Sequence, residues 1–88
     1  MEYYLNYMTA SLFTEEYGKF RKLLEKYRLK KNITQSELAD SLNRPQSFVS
    51  KYENGERRLD VIEFLEIAKI LQIKIPEFFK ELENGAVD

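Results

Sequence analysis

The chain has 88 residues, 43% of them hydrophobic, which suffices for one modest core and leaves no room for a second domain. It holds no cysteine and no histidine, so disulfides, thiol chemistry, the usual zinc ligands and the commonest general base are missing, and the composition argues against an enzyme. The formal charge of −1 and isoelectric point near 5.6 are not those of a strongly basic nucleic-acid binder.

Residues 1–13, MEYYLNYMTASLF, lack the basic start and long apolar stretch of a secretory signal, and no run in the chain is long enough to span a membrane. A cytoplasmic protein with no membrane partner is expected. Tyr3, Tyr4, Tyr7 and Phe13, continued by Tyr17 and Phe20, make this end aromatic. As an N-terminal extension it either packs on the rest of the domain or forms an arm that docks a protein partner or steadies a dimer. Helix one is expected from near Thr14, with Glu15 and Glu16 at its positive end and Tyr17, Phe20, Leu24 and Tyr27 at helical spacing as core. The glycines stand alone at Gly18, Gly55 and Gly85, so there is no phosphate-cradling loop, and no cofactor or metal is expected.

Helix two begins at Thr34. Its hydroxyl can accept from the N–H of Glu37 while Glu37 reaches back to the N–H of Thr34, a capping box, and Ile33 and Leu38 are placed as the accompanying staple. Leu38, Ala39 and Leu42 share one face, and Asn43 tolerates the left-handed conformation that ends a helix. Pro45 can open helix three because the first turn does not need its missing N–H, and Asn54-Gly55 closes it. Val49 and Tyr52 should pack inward, which leaves Gln46, Ser47, Ser50 and Lys51 on the opposite side. Those four are the candidate base contacts. Glutamine can pair with adenine N6 and N7, serine can donate or accept, and lysine can donate to guanine O6 and N7.

Helix four starts at a second capping box, Asp60 to Glu63, with Leu59 and Phe64 as its staple. From Val61 to Ile75 the apolar positions are too many for one stripe, so this segment must be covered on more than one side. The cover is either the rest of the chain or a second copy. In the second case Ile70, Ile73 and Ile75, with Phe78, Phe79 and Leu82 of a helix five opened by Pro76, form a two-fold dimer interface.

The stretches Thr34-Gln35-Ser36-Glu37-Leu38-Ala39 and Arg44-Pro45-Gln46-Ser47-Phe48-Val49-Ser50-Lys51-Tyr52-Glu53-Asn54-Gly55 resemble the Cro and phage-repressor (Xre-like) class of helix-turn-helix regulators. Arg57-Arg58-Leu59-Asp60 and Phe64-Leu65-Glu66-Ile67-Ala68 extend the resemblance over roughly residues 20–80. It implies a compact all-α, five-helix, lambda-repressor-like domain over residues 14–83, with its helix-turn-helix at 34–54, a short N-terminal extension and a tail at 84–88. It also implies binding to double-stranded DNA as a homodimer. Carried over residue by residue, Gln35 would clamp a phosphate, Asn54 would turn an N–H toward one, and Arg57 and Arg58 would flank the DNA backbone. Asn32 and Asn43 stand where glycine is usual, and Pro45 replaces the usual Ser/Thr cap.

The charge is segregated along the chain. Residues 1–18 carry three acidic side chains and no basic one, residues 19–31 seven basic and one acidic, residues 32–59 four of each, and residues 60–88 three basic and seven acidic. Helix one, Arg44, Lys51, Arg57 and Arg58 are therefore expected to share a phosphate-facing surface, against the alternative that the basic run is only a solvated face. The expected function is a sequence-specific transcriptional regulator, most often a repressor in this class, acting on an inverted-repeat operator. The alternatives are an antitoxin or restriction-modification controller, and a helix-turn-helix kept as a protein-interaction module.

Overall fold

The computed structural model describes the backbone of residues 2–85 and the side chains of residues 15–85. Five helices account for the regular structure of these residues, without a strand: α1 (Glu2–Lys30), α2 (Gln35–Ser41), α3 (Gln46–Glu53), α4 (Val61–Leu71) and α5 (Ile75–Glu83). None of them is long and apolar enough to cross a membrane. The helix starts follow the capping chemistry. Thr34 Oγ1 accepts from Glu37 N at 3.0 Å while Glu37 Oε1 accepts from Thr34 N at 2.8 Å, and Asp60 with Glu63 repeats the exchange at 2.8 and 3.0 Å. Pro45 is the N-cap of α3 and contributes no side-chain hydrogen bond there.

One device closes all four interhelical turns. A left-handed residue follows each helix, namely Asn32 (φ 56°), Asn43 (φ 57°), Gly55 (φ 88°) and Gln72 (φ 56°). The next residue's N–H then reaches back across the last turn: Ile33 to Arg28 O, Arg44 to Ala39 O, Glu56 to Lys51 O and Ile73 to Ala68 O, at 2.8 to 3.3 Å. This is the Schellman pattern, which satisfies carbonyls that the helix end would otherwise orphan. Asparagine and glycine at three of these positions announce it; Gln72 does not, because glutamine has no special ease in that region.

The core is shared by all five helices: Leu23 and Leu24 of α1, Leu38 and Ala39 of α2, Val49 and Tyr52 of α3, Ile67, Ala68 and Leu71 of α4, and Phe78 of α5. Phe20, Phe64 and Phe78 meet with ring centroids 5.3 to 5.8 Å apart, a separation at which tilted aromatic pairs attract beyond their burial. Tyrosine hydroxyls of α1 make two of its polar ties to the rest of the chain. Tyr27 Oη donates to the Glu81 carboxylate on α5, and Leu59 N donates to Tyr17 Oη at 2.9 Å. Burial and the Glu81 carboxylate push the Tyr27 phenol up to about 12.

Two expectations are corrected. Helix one starts at Glu2 rather than near Thr14: residues 2–13 contain no proline or glycine to stop it, and a serine or threonine able to cap is no barrier to continued helix. The aromatic side chains Tyr3, Tyr4, Tyr7 and Phe13, with the partner contact expected of them, lie outside the described residues, as do residues 86–88 of the tail. Phe78 and Ile73 belong to the core of a single chain, Phe78 with no exposed surface and Ile73 buried, so neither offers surface to a second copy. Phe78 packs against the rings of Phe20, Tyr27 and Phe64, and Ile73 belongs to the same core cluster, which the periodicity of α4 and α5 alone does not reveal.

Candidate nucleic-acid interface

Helix α3 has two chemically distinct sides. Phe48, Val49, Tyr52 and Glu53 are buried, whereas Gln46, Ser47 and Lys51 are exposed and Ser50 is half-buried. The four candidate base readers therefore share the outward side. Ser50 Oγ donates to Ser47 O at 3.3 Å, which leaves its lone pairs outward as acceptors.

Helix α1 grips α3 at its C-terminal end. Arg21 Nη1 donates to the Glu53 carbonyl at 2.8 Å, where a cation also complements the negative end of the helix. Arg28 forms a forked pair with the Glu53 carboxylate, Nε to Oε2 at 2.7 Å and Nη2 to Oε1 at 3.0 Å. Both side chains are buried, and the carboxylate beside it raises the Arg28 guanidinium above its usual range against the opposing effect of burial. Arg28 Nη1 also donates to Ile33 O at 2.8 Å, so the same guanidinium holds the turn that leads into α2. Glu53 Oε1 accepts in addition from Gln35 Nε2 at 2.8 Å, and Gln35 Oε1 accepts from Gln46 Nε2 at 3.2 Å.

A second cluster braces the N-terminal end of α3 and the loop after it. Arg44 and Arg57 both lie over the Phe48 ring, 4.4 and 4.8 Å from its centroid. Both reach Glu63: Arg57 through Nη1 and Nη2 at 2.9 and 2.8 Å, Arg44 through Nη1 at 3.3 Å. The Arg57 hydrogen bonds hold the Glu63 carboxyl down to about 2, against its burial and with help from the Asp60 N–H. Arg58 stacks on Tyr17, with its guanidinium carbon 4.4 Å from the ring centroid.

The five expected phosphate contacts thus differ in circumstance. Gln35 has its side-chain amide engaged on both sides, and Arg57 is committed to Glu63. Arg44 divides its guanidinium between Glu63 and Phe48. The Asn54 N–H is used within the helix end, donating to Ser50 O at 3.1 Å, so only its exposed side chain remains for a ligand. Arg58 is exposed and held by Tyr17. Glu53, Arg28, Arg21 and Phe48 are organising residues that periodicity and capping do not reveal, since each acts through a partner remote in sequence or across a face.

A family model described as helix-turn-helix matches residues 24–78. The chain belongs to the Xre/Cro-type helix-turn-helix family. As an Xre/Cro-type protein it is a DNA-binding transcription regulator. It is similar in structure to an XRE-family like protein from Pseudomonas syringae pv. tomato str. DC3000, with 43% identity, 88% of this chain and 94% of that chain covered, and a TM-score of 0.81. It is also similar to the wild-type restriction-modification controller protein C.Esp1396I, with 29% identity, coverage of 78% and 90%, and a TM-score of 0.72. The same controller as a tetramer in complex with its natural 35 base-pair operator gives 29% identity, coverage of 78% and 91%, and a TM-score of 0.71. No curated protein matches the chain.

Proposed function

We propose that this protein binds an inverted-repeat operator as a homodimer and represses transcription from it in the cytoplasm, with Gln46, Ser47, Ser50 and Lys51 reading bases in the major groove. The observation that carries this reading is the exposed polar side of α3, mounted on a helix whose opposite side is fixed by the Arg28–Glu53 pair and the Arg21 contact. A rigid mount keeps the ordering cost of recognition low. Arg58 and the side chain of Asn54 meet phosphates, and Arg44 joins them from the N-terminal side of α3. Arg57 acts chiefly as a brace for Glu63 and Phe48. Two copies joined through α4 and α5 would set their recognition helices about 34 Å apart, one turn of DNA.

Binding titrations with operator variants test this directly. Gln46→Ala should cost about 1–3 kcal/mol and relax preference at one position of each half-site, whereas Arg58→Ala should weaken all sequences alike and lower the salt slope by about one. Equal losses on every sequence for Gln46→Ala would remove base reading from that residue.

The likeness to the controller protein C.Esp1396I, which forms a tetramer on its 35 base-pair operator, supports a second reading in which this chain controls a restriction-modification system. Two dimers would then fill adjacent sites, and a gel shift on the operator would show two stepwise complexes where a simple repressor shows one.

A further inference from the structure

Four side chains form one hydrogen-bonded chain from the core to the surface of the recognition helix: Arg28 to Glu53, Glu53 to Gln35, and Gln35 to Gln46. Its polarity follows from chemistry. A carboxylate paired with a guanidinium only accepts, so the Gln35 atom 2.8 Å from Glu53 Oε1 must be the amide nitrogen. The other orientation would set a carbonyl oxygen against a buried carboxylate oxygen at hydrogen-bond distance. Gln35 Oε1 is thereby turned to Gln46, and the Gln46 atom 3.2 Å from it must in turn be the nitrogen. Gln46 spends one N–H on Gln35 and keeps the other N–H, together with Oε1, for a ligand.

We infer that Glu53 is a specificity-positioning residue: its carboxylate, held by Arg28, sets the direction of the Gln35 and Gln46 amides and so fixes the order in which Gln46 offers donor and acceptor to a base. This rests on the base-reading role of Gln46 proposed above. A donor beside an acceptor on one planar amide complements N7 and N6–H of adenine, and it does so in one order for a given docking register. An amide free to flip would offer both orders and discriminate less. The pair Arg28–Glu53 is well placed to impose the order because both partners are buried and the carboxylate is fixed by three donors.

Glu53→Gln keeps the shape and reverses the logic. With its oxygen kept on Arg28 Nε, the introduced amide sets its nitrogen at the Oε1 position, where the Arg28 Nη2 bond is given up and Gln35 is met by a donor; Gln35 then flips and donates to Gln46. The donor and acceptor on the outer edge of Gln46 exchange places.

The test uses the full chain, a random-sequence duplex DNA library and sequencing of the bound fraction, with thermal unfolding recorded for each variant. Gln46→Ala should erase the preference at one position of each half-site, roughly 5- to 150-fold for an intact paired contact. Glu53→Gln and Gln35→Ala should erase or change the preference at that same position and leave the others in place. In a Gln46→Ala background, Glu53→Gln should change no base preference further. If Glu53→Gln does not fold, Gln35→Ala decides, since it leaves the Arg28–Glu53 pair intact. Folded variants that weaken every sequence alike while keeping the preference at the Gln46 position would overturn the inference, because a bracing role alone lowers affinity without changing which base is read. A Gln46→Ala selection identical to the wild type would instead remove the base-reading role itself, and the inference with it.

Discussion

Two buried carboxylates, Glu53 and Glu63, each gather donors from several segments, and both are expensive to bury without them. Glu63 accepts from Arg57, Arg44 and the Asp60 N–H, so it joins a helix cap, a loop and the start of the recognition helix at one group. Its pH behaviour follows from the depressed pKa. A carboxyl held near 2 in the folded state, against an ordinary 4.5, contributes stability that is fully present above about pH 4.5 and is lost as the pH falls toward 2. Glu63→Gln should therefore flatten the acid limb of stability, and the difference in unfolding midpoint between wild type and variant should shrink from pH 7 to pH 3. A constant difference across that range would place the native interactions of Glu63 elsewhere. Only half of this residue is legible in the sequence. Its capping role depends on a partner three positions away, whereas its hold on Arg44 depends on a partner 19 positions away. Glu53 is less legible still, because its ion-pair partner is 25 positions away and a buried pair leaves no periodic or local trace.

At the scale of elements, the helix boundaries that were readable are those written in local chemistry: the boxes at Thr34 and Asp60, the asparagines at 32 and 43, and Gly55. The start of α1 was not, because the caps that open a helix are optional while only proline or glycine reliably interrupts one. The turn at Gln72 was not, because the left-handed conformation there is imposed by packing on both flanks, with Leu71 and Ile73 buried. The shared turn geometry gives substitutions of opposite sign at equivalent positions. Gln72→Gly should stabilise the protein by about 0.5–1 kcal/mol, since glycine reaches φ near 56° without the Cβ clash, and the exposed bond from Lys31 Nζ to Gln72 Oε1 contributes little. Gly55→Ala should cost about 1–2 kcal/mol, because a Cβ at φ 88° would also lie 3.1 Å from Arg21 Cζ and press on the group that holds the end of α3. Urea unfolding of the two variants beside the wild type checks both signs. Stabilisation by Gly55→Ala would show that Arg21 is not confined there.

At the scale of the whole molecule, the apolar α4, which has more hydrophobic surface than one stripe can bury, divides cleanly in the structure. Phe64, Ile67, Ala68 and Leu71 face the core, while Val61, Ile62 and Leu65 are 70%, 65% and 45% exposed, joined by Phe79 of α5 at 40%. Phe79 lies 5.8 Å from the Phe64 ring, which brings it beside the N-terminal half of α4. Exposed aliphatic and aromatic groups gathered in this way are costly to leave in water and favour a partner. We propose that the homodimer forms here, on the face of Val61, Ile62, Leu65 and Phe79, whereas Ile70, Ile75 and Leu82, all half-buried, pack against the core of their own chain. Leu65→Lys should then leave the unfolding midpoint of the isolated chain nearly unchanged, within about 0.5 kcal/mol as for a surface substitution, while sedimentation shows monomer where the wild type shows dimer. Its affinity for a full inverted repeat should fall by at least about tenfold, the share contributed by linking two half-sites, with half-site affinity unaltered. Phe78→Ala should behave in the opposite way, costing about 3–5 kcal/mol and unfolding the chain, because it empties the centre of the core. A Leu65→Lys protein that stays dimeric and keeps full-operator affinity would move the interface off this face of α4.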